Sequence, residues 1–563
     1  MSYQPQQQPR VPILLLKEGT SETKKKDAQK NNIAAAKIIA NILKSSLGPR
    51  GMDKMLVDSL GDVTITNDGA TILKEIEVQH PAAKMLVEVT KSVDNEVGDG
   101  TKSVVVLAGS LLEKAEDLIN KDVHPTVLVD GYRRASQKAI EILREISTKV
   151  DPMNKEDLAR IAITSMASKL TSAKSKVLAD IVVEAVLRVA EEYESEDVDK
   201  EGRDPSRASS RNSNYRVDTD NIKVEKKAGG SINDTSLIEG IVLDKEVAHD
   251  SMPKRIENAR IALLNCPLEV EKPEFDTKLN INTPAQMQKF LDEENNILKS
   301  MVNKVSSTGA NVALCQKGID DMAQHYLARA GILAVRRIKE SDMSKLAKAT
   351  GATMITNVGE ITSADLGQSR VVEERRIETD KWVFVEGCKD PKAVSILVRG
   401  GSQRVVDEAE RSVHDAIMTV KDVVQYPYII PAGGAAEAVL SQQIREWSKS
   451  VEGRAQLAAE QFADSVETIP IVLAENAGMD PIDAQAQLRA KITSNKPRYG
   501  IDMNHKKIAD MIANDVYDPL AVKEYIISSA TEVASMILRI DDVIAASGSK
   551  DMPPGPGAEG GGY

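Results

Sequence analysis

The sequence predicts a multidomain chain of mixed α and α/β class, mostly helical at both ends and α/β in the middle. Three observations carry this. Apolar residues recur at helical spacing from Asp27 to about Val150 and again from Val405 to about Ser547. Short β-branched runs alternate with helices from Ile222 to about Ile377. Between these textures, Glu191 to Asp218 is almost without apolar residues and cannot bury a core. A chain of 563 residues has room for roughly three or four domains.

In chain order, Ile33, Ala36, Ile39, Ala40, Leu43 and Leu47 mark one helix face, ended by Gly48-Pro49, a C-cap glycine before a residue that cannot continue the helix. Val63 to Thr66 reads as a strand closed by Asn67-Asp68-Gly69, and helical periodicity follows. The middle strands are expected at Ile238 to Leu243, Ile261 to Asn265, Val312 to Cys315 and Ile332 to Val335. After Val398-Arg399-Gly400-Gly401 a helix carries Val405, Ala409, Val413, Ala416, Ile417, Val420 and Val424. The Gly/Pro-rich end, 548–563, reads as a disordered tail.

Composition excludes several functions. Lys plus Arg number 73 against 85 Asp plus Glu, a net charge of −12, which repels a phosphate backbone, and aromatics are only 3%, too few for base-stacking platforms. No nucleic-acid partner is expected. Cys266, Cys315 and Cys388 are far apart and form no CxxC pair, so neither a disulfide framework nor a zinc site is expected. The apolar run Val11 to Leu16 is too short for a signal h-region or a span, which points to a cytoplasmic protein with no membrane partner.

The segment Glu96-Val97-Gly98-Asp99-Gly100-Thr101-Lys102-Ser103, followed by the apolar helix Val104 to Leu112, is the most informative. Two glycines permit close backbone approach, and a helix start offers N–H groups and a positive dipole end, which suit a phosphate. The spacing is not that of a Walker A loop, and the same residues also describe a bare helix N-terminus. A carboxylate at Asp99 beside phosphate would need a divalent cation between them, making Asp99 a candidate Mg²⁺ ligand. Asp68 stands on a strand-to-helix turn where it could orient water, or simply form an Asp-Gly turn. Asp415 shares a helix face with Glu408 and Asp422, away from the apolar stripe, a pattern that alone describes a solvated carboxylate. The loops Pro431 to Glu437 and Asn476 to Pro481 could surround a nucleotide or cap helices.

LGPRGMDKML (Leu47 to Leu56), NDGATIL (Asn67 to Leu73), EVGDGTKS, KVEKKAGGSI (Lys223 to Ile232), VLDKEVAH (Val242 to His249), ERSVHDA (Glu410 to Ala416) and ILRIDDVI (Ile537 to Ile544) occur in one order. Together they closely resemble the group II chaperonins, the archaeal thermosome and eukaryotic cytosolic TCP-1 families, with the archaeal type favoured. The resemblance implies a subunit of a double-ring, ATP-driven folding machine that binds and encloses unfolded proteins, with itself or paralogous subunits as ring partners and ATP and Mg²⁺ as cofactors. It implies a mostly helical equatorial domain in two parts (1–149 and 424–547), a small α/β intermediate domain in two parts (150–221, holding the polar insertion of about 191–214, and 377–423) and an α/β apical domain (222–376). The apical domain would bear a helical lid protrusion at about 271–298.

By resemblance, Asp99 is the metal ligand, and Asp68 and Asp415 are the catalytic carboxylates. Gly48, Pro49, Gly100 and Thr101 lie against phosphate, with Lys102 and Ser103 in the same motif. Lys169 senses the terminal phosphate, Gly433 belongs to the glycine-rich base and ribose loop, and Asp518 is a further cofactor-binding position. Departures from the family pattern are Lys102 for the second Thr of GDGTT, Ala432 for the first Gly of PGGG, a longer insertion, and Asp518 where Glu is usual. Lys102 is expected to contact phosphate through a charge-assisted bond. In the lid helix, Met287, Phe290, Leu291, Ile297 and Leu298 form a stripe whose plain reading is a core face, and Asp320 to Ala330 is the expected client-holding helix. Two other functions compete: a ring subunit that holds clients but hydrolyses weakly, and a small-molecule phosphotransferase.

Overall fold

The computed structural model of the chain describes residues 21–167, 172–192, 213–270, 283–388 and 392–545. The expected tail, most of the polar insertion, the first part of the expected lid and Lys169 lie outside the described residues.

The chain opens with β1 (Ser21–Lys24), α1 (Lys25–Lys44), the hairpin β2 (Lys54–Val57) and β3 (Val63–Thr66), then α2 (Gly69–Glu75), α3 (Pro81–Val97), α4 (Thr101–Asn120) and α5 (Pro125–Ile146). Helices α3 and α5 start alike: a histidine N-cap, His80 or His124, precedes a proline in the first turn, where a missing N–H leaves no bond unmade. A second segment holds β4 (Thr148–Lys149), α6 (Lys155–Met166), α7 (Ser172–Val189), β5 (Ala190–Glu192), β6 (Tyr215–Val217), β7 (Ile222–Ala228) and β8 (Ser236–Ile238). The α/β segment follows: β9 (Gly240–Leu243), β10 (Arg255–Leu264), α8 (Pro284–Ser307), β11 (Val312–Cys315), α9 (Asp321–Arg329), β12 (Leu333–Val335), α10 (Glu340–Thr350), β13 (Met354–Ile355), β14 (Gly367–Ile377) and β15 (Asp380–Glu386). Next come β16 (Val394–Gly400) and the long α11 (Gln403–Gln425). The final segment is β17 (Tyr428–Pro431), α12 (Ala435–Ser448), α13 (Ala455–Val466), α14 (Thr468–Ala477), α15 (Pro481–Thr493), β18 (Tyr499–Asp502), β19 (Lys507–Asp510), β20 (Tyr517–Pro519), α16 (Leu520–Leu538) and β21 (Asp542–Ala545).

Three large apolar cores organise these elements, and a small fourth cluster of Ile238, Val242, Trp382, Phe384 and Leu397 lies between the two sheets that supply it. The first joins the two ends of the chain, packing Leu43, Val104, Leu111 and Leu143 with Ile444, Phe462 and Ile527. Its largest polar insertion is satisfied: the buried Tyr132 hydroxyl donates to Leu111 O at 2.8 Å, and its ring packs tilted on Phe462 with centroids 6.0 Å apart. Antiparallel β1 and β21 pair Ser21 with Ala545, and β17 lies between β4 and β20, so both ends are also stitched by backbone. The second core packs α6, α7 and α11 against β7 and β16, which pair in parallel from Ile222↔Val394 to Ala228↔Gly400. The third surrounds a mixed sheet ordered β12-β11-β10-β14-β15-β9, with β13 also on β10.

The expected strands of the middle segment are present, and the three cysteines are buried free thiols. No described helix is long and apolar enough to cross a membrane. Two expectations are corrected. The ends of the polar insertion are structured, since β5 and β6 pair from Ala190↔Val217 to Glu192↔Tyr215 and Val217 is buried in the second core. The stripe on α8 is not a core face: Leu298 is buried, but Met287, Phe290, Leu291 and Ile297 are exposed, because only the C-terminal half of α8, at Leu298, Val302 and Val305, enters the third core.

One ion cluster fastens three C-terminal helices. Glu467, between α13 and α14, is 4% exposed, and accepts from Arg489 Nε at 2.7 Å and from Arg445 at 3.1 Å. Burial alone would raise its carboxyl, but the two guanidiniums overcome this and hold it below the usual range for a glutamate. Removing one partner of such a buried pair is costly, so Glu467→Gln should lower unfolding free energy by about 3 kcal/mol at neutral pH. A depressed carboxyl stabilises above its unfolded value, near pH 4.3, and that contribution is lost as pH falls through the folded value. Denaturant melts from neutral pH downwards should therefore show the gap between wild type and variant closing in acid.

Candidate nucleotide site

The site is built around the start of α4. Gly98 ends α3 in the left-handed conformation at φ 69°, and Gly100 begins α4 in the same conformation at φ 83°. Gly100 brings no side chain to cap the helix, so the first turn, Thr101 to Ser103, presents its N–H groups and the positive dipole end without the usual N-cap side chain. A Cβ at Gly100 would fall 2.3 Å from Ile526 Cδ1, which adds a steric reason for glycine there. Asp99 lies between the two glycines, and its Oδ1 accepts from the Gly100 N–H at 2.6 Å.

Two more loops converge on this turn. Asp68 caps α2, its Oδ2 accepting from Thr71 N at 2.9 Å and Thr71 Oγ1 at 2.8 Å, and it is buried. A Cβ on Gly69 would lie 2.8 Å from Thr101 Oγ1 and 2.7 Å from Lys102 Cγ, so the Asp68 turn rests directly on the first turn of α4. The loop after α1 arrives from the other side. Gly48 stands at φ 81°, and Asn476 closes the helix end by donating to Lys44 O at 2.9 Å and Leu47 O at 2.8 Å.

Asp415 belongs to a different core, on a helix that lies over the end of α3. A Cβ on Gly98 would lie 2.3 Å from Met418 Cβ, and Lys421 Nζ donates to Glu96 O at 2.8 Å, so α11 runs over the end of α3. Asp415 precedes Met418 by three residues on the same helix face, about 4.5 Å along the axis. It is 8% exposed, and Asp422 is also buried. The polar pattern therefore misleads here: this side of α11 is covered by the neighbouring core, while adjacent His414 is the residue left in solvent.

Gly433 and Asp518 approach from the C-terminal segment. Gly433 has φ 64°, a Cβ there would meet Met511 Sδ at 2.7 Å, and its carbonyl accepts from Ile501 N at 2.8 Å. Asp518 pairs with Ile430 across β17 and β20 and binds Lys523 Nζ at 3.0 Å, which also donates to Glu437 Oε1 at 2.5 Å. Burial opposes the charge of Lys523, but Asp518 and Glu437 overcome it and hold the ammonium well above its ordinary range. Ser103, Glu437, Lys523 and Ile526 line one small cavity, linking this cluster to α4.

The expected residues Gly48, Asp68, Asp99, Gly100, Thr101, Lys102 and Ser103 are thus brought to the start of α4, and the helix bearing Asp415 is laid against it. Lys102 departs from expectation, since its Nζ turns inward to Ser46 O at 2.9 Å and Asn67 Oδ1 at 2.6 Å. Sequence reasoning gave no role to Asn67 or to Glu437, which ends one of the candidate loops, and missed Lys523. Asn67 stood beside Asp68 within a quoted motif, whereas no local signal ties Lys523 to Glu437, 86 residues away. No group of three or more His, Cys, Asp or Glu side chains among the described residues forms a metal cage.

Residues 39–548 match the family model described as the TCP-1/cpn60 chaperonin family. The chain is 53% identical to thermosome subunit alpha of Archaeoglobus fulgidus over 552 residues, 98% of each chain. It is 52% identical to a thermosome subunit of Methanopyrus kandleri over 534 residues, 95% of each. Thermosome subunit beta of Archaeoglobus fulgidus is 52% identical over 550 residues, 98% of this chain and 97% of the relative. With a family match over most of its length and relatives aligned nearly end to end, the chain belongs to the TCP-1/cpn60 chaperonin family.

Proposed function

We propose that this chain is an ATP-dependent chaperone subunit of a double-ring group II chaperonin, cytoplasmic, which binds unfolded proteins and encloses them under the drive of ATP hydrolysis. The observation that carries the reading is the helix start at Gly100, with the Asp68 turn resting on it and the Asp415 helix laid across Gly98. Residues 1–149 and 424–547 form the equatorial domain in this reading, 150–221 and 377–423 the intermediate domain, and 222–376 the apical domain with its lid. The three large apolar cores support that division in outline, with β7 and β8 grouped with the intermediate core and β15 with the apical one, so the apical body runs from β9 to β15.

The N–H groups at Thr101 and Ser103 hold the phosphate chain beside the Gly100 backbone, whose own N–H is taken by Asp99, the Gly48-Pro49 turn borders it, and Gly433 takes the base and ribose, with Asp518 as a further nucleotide-binding position. Mg²⁺ at Asp99 would neutralise phosphate charge, with phosphate and water completing its shell, as suits a magnesium bound by few carboxylates. Asp68 and Asp415 position the attacking water and accept its proton. The hydrogen bonds from Thr71 hold the Asp68 carboxylate in one orientation for that task. Lys169, from the intermediate domain, senses the terminal phosphate. The inward turn of Lys102 favours turnover over a weakly hydrolysing holdase, because its charge is engaged by protein oxygens.

Ring assembly is supported by the hairpin β2–β3, whose Met55, Val57, Leu60, Val63 and Ile65 are exposed together with Met52, an apolar patch suited to a neighbouring subunit. The exposed face of α8 fits a lid that closes over the cavity.

Three outcomes are expected. Asp415→Ala should lower the hydrolysis rate at least about 100-fold, in line with loss of a general base, while ATP still binds; steady-state phosphate release and nucleotide titration check this, and normal turnover removes Asp415 from the mechanism. Asp99→Ala should instead weaken ATP binding in the presence of Mg²⁺ but change binding little in its absence. The double variant Met55→Asp, Ile65→Asp should yield folded protein that sediments as single subunits, and intact rings would show that the hairpin is not an assembly surface.

A further inference from the structure

Lys102 stands in the first turn of α4, and its stem passes under Gly69, where a Cβ would lie 2.7 Å from Lys102 Cγ. That contact steers the chain away from the mouth of the helix and into the protein. Its Nζ donates to Ser46 O at 2.9 Å, in the turn that follows α1, and to Asn67 Oδ1 at 2.6 Å, in the turn before α2. Both partners are buried, Ser46 completely and Asn67 at 2% exposed. The amide of Asn67 is oriented by its other end, since Nδ2 donates to Gly51 O at 3.0 Å in the same loop that holds Ser46. One ammonium therefore closes a ring of bonds through three chain segments that are far apart in sequence.

The electrostatics favour a cation at this point. Ser46 O follows the C-terminal end of α1, where the helix dipole and unpaired carbonyls attract positive charge. An ammonium offers three rotatable donors on a flexible stem, which suits oxygens from separate loops better than a planar guanidinium or a short hydroxyl would. A residue lacking that donor would leave two buried acceptors without it, and the loops would relax apart.

We propose that Lys102 is a positioning residue: a chain-borne cation that holds the Ser46 turn and the Asn67-Asp68-Gly69 turn against the start of α4, in the arrangement that receives nucleotide phosphates. This rests on the nucleotide-site reading above. Its effect on nucleotide is exerted through the loops, not by direct contact with phosphate.

The test uses assembled full-length protein and the variants Lys102→Ala and Lys102→Met, the second keeping the stem that packs under Gly69 should the first fail to fold. Without nucleotide, amide hydrogen exchange at 46–51 and 66–69 should quicken at least tenfold in either variant, with other segments unchanged. ADP titration at constant ionic strength should show affinity about tenfold weaker. Ammonium or ethylamine chloride should restore affinity in Lys102→Ala to within about threefold of wild type, while tetramethylammonium, which has no N–H, should not. Lys102→Met, whose stem fills the space, should resist rescue. Unchanged exchange with weakened ADP binding would overturn the proposal in favour of direct phosphate contact. Unchanged exchange and unchanged affinity would overturn it outright, as would equal rescue by tetramethylammonium. Failure of wild type to bind ADP would refute the nucleotide reading itself, and the exchange comparison, made without nucleotide, would still decide whether Lys102 clamps the loops.

Discussion

Everything near the start of α4 depends on backbone segments approaching more closely than side chains allow. At Gly69 a Cβ would collide with Thr101 and Lys102, at Gly98 with Met418, and at Gly100 with Ile526. Each missing side chain lets another element lie directly on the helix start: the Asp68 turn, the Asp415 helix and the C-terminal helix α16. The left-handed φ at Gly98 and Gly100 adds a second demand that only glycine meets cheaply. Steric permission at three or four positions is thus what gathers carboxylates from distant parts of the chain around one set of N–H groups.

The nested order of the chain follows from the same meeting. The first core needs both ends of the sequence, so the middle must leave and return through paired connections, and the parallel pair β7–β16 brings the outgoing and incoming strands side by side. Helix α11 is the returning element. Val413, Ile417, Val420 and Val424 bury it in the second core, while Met418 and Lys421 touch the first. A single rigid helix therefore belongs energetically to one body and chemically to another.

Features under local rules were legible in the sequence. The end of α1 before Gly48, the strand Val63–Thr66 and the helix start after Gly100 depend on φ preferences and β-branching, which act within a few residues. Features set by packing were not. Asp415 lies on what the apolar periodicity of α11 marks as an outward face, yet it is buried where α11 meets the first core. The strands β14 and β15 are masked by charge: Arg375 pairs with Glu386 at 2.6 Å and sits over the Phe384 ring at 4.6 Å, so cross-strand ion pairs replace the alternation a reader looks for. The α8 stripe misled oppositely, since helical spacing shows that an apolar face exists without saying what covers it.

The contrast between the seams of α11 bears on how the proposed hinge would work. Along the second core the helix is held by a continuous apolar stripe, and each fully buried Val or Ile contributes on the order of 1.5–3 kcal/mol. Against the first core its contacts include Met418 over Gly98 and a hydrogen bond from Lys421 to an exposed carbonyl, the latter the kind of contact worth about 1 kcal/mol. In the proposed hinge, α11 would move with the second core, to which its apolar stripe binds it. Asp415 would then withdraw from the end of α3, while Asp68 and Asp99, rooted in the first core, would stay. On the proposed function, a site divided in this way would hold nucleotide in either arrangement but assemble both carboxylates only when closed, so catalysis would report on the position of the middle of the chain.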